Sequence, residues 1–278
     1  MSLGIVVKGS EGLVLAADSR ATIGMQFAQP VPNQPDPVMT SFAVNFDHAT
    51  KLLTFQEPNR WIGAVTYGAA VIGQNASDLR TAQSFIPEFE LSLPPTRISV
   101  QEFSQRLSDF YMARWQERMP QNWQGDNMIF VIAGFDENGP YGSVFLLTIP
   151  SMPNPVEQSP GNFGITGGGQ GEILTRLLQG YDPRVIPIAQ QTLALSNQQQ
   201  AALAESLVQQ LMWNIPYAVL PLQDCIDLAI FLIKTTTVAQ ALSMGVRGVG
   251  GAIDVAVITR REGLQIIQKK ILTGERPV

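Results

Sequence analysis

The chain opens with a hairpin. Leu3 to Lys8 and Leu13 to Asp18 are short runs dominated by Leu, Ile, Val and Ala, and between them stands Gly9-Ser-Glu-Gly12, a turn-forming tetrapeptide. With that turn, antiparallel pairing sets Leu3 opposite Asp18 and Ser2 opposite Ser19. Chain starts fray unless a sheet holds them. A hairpin here therefore pins the first residues beside an acid, Asp18, and next to Arg20. A hydroxyl at position 2 inside such a frame raises a chemical question, because serine is a weak nucleophile that needs a base.

Length and charge narrow the field. At 278 residues the chain is long enough to bury a substantial core as one domain spanning 1–278. A net charge of −5 and no Lys/Arg run argue against a nucleic-acid binder. No apolar segment is long enough to span a bilayer, and no charged-then-apolar leader is visible at the start. The single cysteine, Cys225, precludes an internal disulfide framework, and the single histidine, His48, excludes multi-histidine metal sites. Cytoplasm is the default expectation, with no cofactor and no metal.

Along the chain the first hairpin ends near Thr22. Met25 to His48 gathers Pro30, Pro32, Pro35 and Pro37 and reads as a long loop or arm. Lys51–Phe55 and Trp61–Tyr67 form a second hairpin, and Ala69–Phe85 has apolar residues at helical spacing. Ser99-Val-Gln-Glu102 opens a helix to about Met119. Met128–Phe135 and Tyr141–Ile149 flank Asp136-Glu-Asn-Gly139 as a third hairpin. Ser151–Asn162 reads as a Pro-rich loop, Phe163–Thr166 as a short strand and Glu172–Gln179 as a helix. Ser196-Asn-Gln-Gln199 opens a helix to about Trp213, and Leu222 to about Leu242 is a long helix. Ala252–Thr259 and Leu264–Gln268 close the sheet. This order predicts an α+β chain. Strands apolar on both faces predict two stacked sheets between helix layers.

The motifs resemble those of proteasome β-type subunits. Gly4-Ile-Val-Val-Lys-Gly-x-x-Gly-Leu-Val-Leu-Ala-Ala-Asp-Ser-Arg-Ala-Thr22 is similar to that family's opening, and Val249 to Gly263 to its last strand pair. Thr50-Lys-Leu-Leu53 resembles the segment with its buried lysine, Gly63 to Gly68 its next strand, and Thr166-Gly-Gly-Gly169 its glycine-rich bend. The likeness covers most of the chain, interrupted by insertions at about 25–48 and 183–220. It implies the four-layer αββα sandwich of N-terminal-nucleophile hydrolases, and it sets the family's N-terminal threonine on Ser2. Removal of Met1, expected with a small residue at position 2, exposes an amine whose reference pKa of roughly 7.7–8.0 lets it act as base. By resemblance Lys51 is the buried cation, Asp18 its partner, Tyr67 or Gly68 the backbone oxyanion donor, and Ala21, Leu53 and Val65 the substrate pocket. Those three predict a preference for medium apolar residues. Arg20 is read as ordering the local turn.

The chain also departs from the pattern. The family's helper serine falls on Gly168 and the second serine on Gln170. Tyr67 stands where glycine is usual, so Gly68 could equally be a plain strand-to-helix turn. The acid before the last Gly-Gly falls near Val246 or Arg247, and no Asp or Glu lies between Lys234 and Gly251. Thr166 and Ser243 are possible substitutes. The glycine run after Thr166 lacks the Lys-Ser/Thr of a phosphate loop, Cys225 reads as core and His48 as a solvated loop residue. The expected function is peptide-bond hydrolysis through Ser2, on peptides or unfolded proteins, in a homo-oligomeric ring or helical array served by an unfoldase. The rivals are an inactive ring-forming subunit and a small-molecule amidase on the same fold.

Overall fold

The structure, a computed structural model, describes residues 2–29, 38–74, 77–245 and 247–274. It begins with β1 (Leu3–Lys8), β2 (Leu13–Asp18), β3 (Ala21–Gln29), β4 (Val38–Phe46), β5 (Leu52–Thr54) and β6 (Ile62–Gly68). The short strands β7 (Val71–Ile72) and β8 (Arg80–Thr81) lead into α1 (Ala82–Leu91) and α2 (Val100–Arg118). Then come β9 (Met128–Gly134), β10 (Ser143–Ile149), β11 (Met152–Glu157) and β12 (Gly164–Gly169), and the helices α3 (Glu172–Gln179), α4 (Val185–Leu193), α5 (Asn197–Leu211) and α6 (Leu222–Ala241). The strands β13 (Ile253–Thr259) and β14 (Gly263–Gln268) finish the order.

Two five-stranded antiparallel sheets result, β12-β1-β2-β13-β14 and β11-β10-β9-β6-β5. Strand alternation explains how they stack. In β1, Leu3, Ile5 and Val7 meet α6 through Leu228, Leu232 and Ile233. Val6, on the other face, meets Val65 and Val131 of the second sheet. On that sheet's far side Ala64, Phe130 and Ile132 pack on Phe85, Phe103 and Tyr111 of α1 and α2. Helix, sheet, sheet, helix is the expected four-layer αββα sandwich. Each fully buried Leu or Ile in these three cores stabilises it by about 1.5–3 kcal/mol.

Several local expectations change. Residues 25–48 are not a plain loop: β3 and β4 pair from Ala21↔Phe46 to Gln29↔Val38, and the four prolines lie outside the described residues. The described residues of 69–81 are not helical. Gly68 has φ +86°, β7 and β8 pair, and α1 starts only at Ala82, where Thr81 caps it by accepting from Ser84 N. Met152–Glu157 is a strand despite Pro153 and Pro155. It lies at a sheet edge, where two prolines at alternate positions lose only amides that face away from β10. The glycine run 167–169 is strand too, paired with Leu3–Ile5. Around 183–220, α4 precedes the expected α5, and neither helix buries a residue. Among the described residues no helix is long and apolar enough to cross a membrane.

Candidate active site

The opening hairpin folds in the register its turn dictates. Gly4↔Ala17 to Lys8↔Leu13 pair, and continuing that register sets Leu3 against Asp18 and Ser2 against Ser19. On the other side β12 pairs Leu3↔Gly169, and Gln170 N donates to the Ser2 carbonyl at 2.8 Å. Ser2 is thus held from both sides and is buried.

Asp18 is the hub. Its Oδ1 accepts from Leu3 N at 2.9 Å and from Lys51 Nζ at 2.6 Å. Its Oδ2 accepts from Arg20 N at 3.1 Å and Gly250 N at 2.9 Å. Four donors saturate a carboxylate, so this side chain is fixed in place. One oxygen ties Lys51 to the residue that follows Ser2. Lys51 Nζ also donates to the Arg20 carbonyl. Burial pushes the Lys51 ammonium below the ordinary lysine range, against the pull of Asp18. Lys270 and Arg20 add to the depression as like charges. Lys270 is itself buried on Asp254, which β13 sets opposite Ala17.

Gly68, at the end of β6, supplies the contact from the other sheet: its N–H donates to Ser2 Oγ at 3.3 Å. The bond runs from Gly68, one residue beyond Tyr67, and the pocket assignment moves with it. Val65 faces the space between the sheets, in contact with Val6 and Val131, and does not line the cavity at Ser2. Thr66, the next residue, does. Its Oγ1 is buried without a hydrogen-bond partner among the described residues. Leu53 is likewise displaced. It is fully buried under α1 and α2, while Ala49 and Lys51 take the cavity wall. Ala21, the third residue the resemblance implies for the pocket, lines this cavity.

That cavity has a volume of about 680 Å³. Beyond Ser2, Lys51, Tyr67 and Gly68 it is bounded by Ile23 and Phe46 at the base of the β3–β4 ribbon and by Val71 and Ala82. The segment 25–48 therefore contributes a wall. Exposed His48 stands at the same cavity. Arg20 reaches over to Asp47 with Nε–Oδ1 at 2.5 Å and a second bond at 2.8 Å, and to the Arg247 carbonyl at 3.2 Å. It clamps the loop before Lys51 to the loop before β13. Glycine at 250 leaves room for this clamp: a Cβ there would lie 2.7 Å from Arg20 Cζ and push the guanidinium aside.

Of the possible substitutes for the missing serine and acid, Thr166 pairs with Val6, deeper in the sheet than Ser2, and Ser243 Oγ donates to the Ala239 carbonyl of its own helix. Val246 lies outside the described residues. Gln170, where the second serine would be, accepts from Gln240 Nε2 at 2.6 Å, and Gln240 Oε1 accepts from Val249 N at 2.9 Å. This amide chain links the end of β12 to α6 and the Gly-Gly loop. The only sequence signal for it was a polar residue at 170. Cys225, on α6, is buried in the core between that helix and the first sheet, and its thiol is pushed up by burial.

Among solved structures the chain is similar to the Anbu (Gly-1) mutant from Hyphomicrobium sp. strain MC1, with a TM-score of 0.54 over 97% of this chain and 86% of that one. The fold is proteasome-like. At 13% identity the likeness speaks for the fold alone. No family model matches the sequence, and no match is found among curated proteins. The chemistry must be argued from the side chains.

Proposed function

We propose that the chain is an N-terminal-nucleophile hydrolase that cleaves peptide bonds through Ser2 once Met1 is removed. Ser2 Oγ attacks the carbonyl and passes its proton to the Ser2 amine. The buried Lys51 ammonium, held by Asp18, favours the neutral amine and the developing alkoxide. The Gly68 N–H steadies the oxyanion. Protonation of the leaving amine gives an acyl-enzyme, which water hydrolyses. The observation that carries this reading is the meeting of three groups on Ser2: the Gly68 amide on its Oγ, the Gln170 amide on its carbonyl, and Asp18–Lys51 beside its next residue.

The pocket formed by Ala21, Ile23, Ala49 and Thr66 is apolar and of modest size, which supports a preference for medium apolar residues before the scissile bond. Substrates are peptides or unfolded proteins, and the working form is a homo-oligomer, ring or helical array, that an unfoldase can serve. A second reading, a non-catalytic ring subunit, is favoured by Gly168 and by the lack of an acid before the final Gly-Gly. Intact mass with a panel of fluorogenic peptides decides between them. Loss of Met1 and cleavage that disappears in Ser2→Ala supports the hydrolase; Met1 retained in cleaving preparations counts against it, and best cleavage after Lys or Glu rejects the apolar preference.

A further inference from the structure

Tyr67 lies across two glycines of the opposite sheet. Gly4 in β1 and Gly168 in β12 are register partners. A Cβ on Gly4 would stand 3.0 Å from Tyr67 Cδ1, and a Cβ on Gly168 would stand 2.8 Å from Tyr67 Oη and 3.1 Å from Cε2 and Cζ. The ring fills the volume those two side chains would take, and its hydroxyl end is the part over Gly168. Ser2, Gly4 and Val6 share one face of β1, and Val6 packs between the sheets with Tyr67. The ring thus runs across the Gly4–Gly168 pair, and Ser2 is the next position on that face of β1, beside the pair the ring covers. Gly68, bonded to Ser2 Oγ, is Tyr67's neighbour in the chain, and Tyr67 lines the same cavity as Ser2. Burial alone perturbs the phenol, pushing it up to about 12, so it remains a neutral hydroxyl through the working range.

We propose that Tyr67 is a positioning residue for the Ser2 amine: its phenol oxygen accepts one amine N–H and turns the nitrogen lone pair toward Ser2 Oγ. This rests on the reading of Ser2 as the nucleophile. The hydroxyl that position 168 lacks is delivered from the facing sheet, by a ring standing in the volume a side chain at 168 would take. A side chain at 168 would crowd the hydroxyl end of the ring at 67 and push it aside; a small residue at 67 makes room for a serine at 168.

Tyr67→Phe keeps the ring and removes only the hydroxyl. Turnover of the best fluorogenic peptide is followed against pH. The pKa of the Ser2 amine is followed by NMR of the protein after reductive methylation with labelled formaldehyde. Asp18, Lys51, Arg20, Lys270, Asp47 and His48, the charged and titratable groups around the site, are unchanged in this variant, so a shift reports the phenol. The expected result is a kcat about ten- to a hundredfold lower with KM nearly unchanged, the size of one hydrogen bond to a charged group. The amine pKa is expected to fall by about half a unit, because an acceptor of the ammonium is lost. Tyr67→Gly should lose activity similarly, and Tyr67→Gly with Gly168→Ser should regain about tenfold of it. Unchanged kcat and amine pKa in Tyr67→Phe, or a loss confined to KM, overturns the proposal. Turnover that survives Ser2→Ala instead overturns the reading of Ser2. In a preparation without turnover, the amine pKa alone decides for or against the role of Tyr67.

Discussion

Lys51 stands or falls on its partner. Its side chain is 7% exposed and that of Asp18 is 0% exposed, so neither can fall back on water if the other is lost. Lys51→Met leaves a buried carboxylate short of one donor, which should destabilise the protein by about 3–5 kcal/mol in denaturant titrations. It should also lower peptide turnover by about a hundredfold or more. The pH dependence has a definite sign. The folded-state pKa of Lys51 lies below the ordinary value of about 10.4, so between the two the unfolded chain binds more protons and the burial penalty is relieved as pH rises. If Lys51 acts as proposed, activity moves the other way, since that role needs the ammonium. The alkaline limb of the pH–rate profile should begin below about 10.4; a flat profile to that pH contradicts a role for this charge. These residues were legible early because the hairpin register follows from turn length, and Lys51 sits in a distinctive Thr-Lys-Leu-Leu context. Leu53 and Val65 were misplaced because the contact to Ser2 comes from Gly68, which shifts the wall to Thr66. The contact between Tyr67 and Gly168 was not legible, since it joins positions on different sheets that no local pattern relates.

At the scale of elements, the fold was read best where burial and turn chemistry agree, as in β1–β2, β9–β10 and α6. It was misread where a local pattern imitated another element. Val71, Ile72, Leu79 and Ala82 mimic a helical stripe across a glycine-turned strand pair, and prolines disguise the edge strand β11. Helix α5 illustrates the opposite limit. It buries nothing, and its start rests on a reciprocal cap in which Ser196 Oγ accepts from Gln199 N and Gln199 Oε1 accepts from Ser196 N. Ser196→Ala should cost that helix about 1 kcal/mol, seen as roughly fivefold faster amide exchange in α5. Amides of α6 should be unaffected. Leu232→Ala, under the first sheet, should instead lower global stability by about 2–5 kcal/mol. A local effect at Leu232 or a global one at Ser196 would contradict this assignment of layers.

For the whole molecule, the cavity opens at one end of the sheet stack, where the Ser2 end of β1, the end of β6 and the β3–β4 ribbon meet. Outside it, Phe231 and Val238 of α6 and Leu242, which caps it, are exposed at helical spacing, Leu242 by 84% and Phe231 with its ring against Trp213. A stripe of that kind usually marks an interface. Light scattering should therefore find a multiple of the 30.3 kDa chain mass, and Phe231→Glu with Val238→Glu should shift it toward the monomer; a wild-type monomer at micromolar concentration contradicts the expected assembly. The central claim, that processing creates a nucleophile and its base on one residue, is tested most directly by acylation. Treatment with a hydrophobic β-lactone followed by peptide mass mapping should place one acyl group on Ser2 of chains lacking Met1, and none in Ser2→Ala. Label on another residue, or equal labelling of Ser2→Ala, would contradict it.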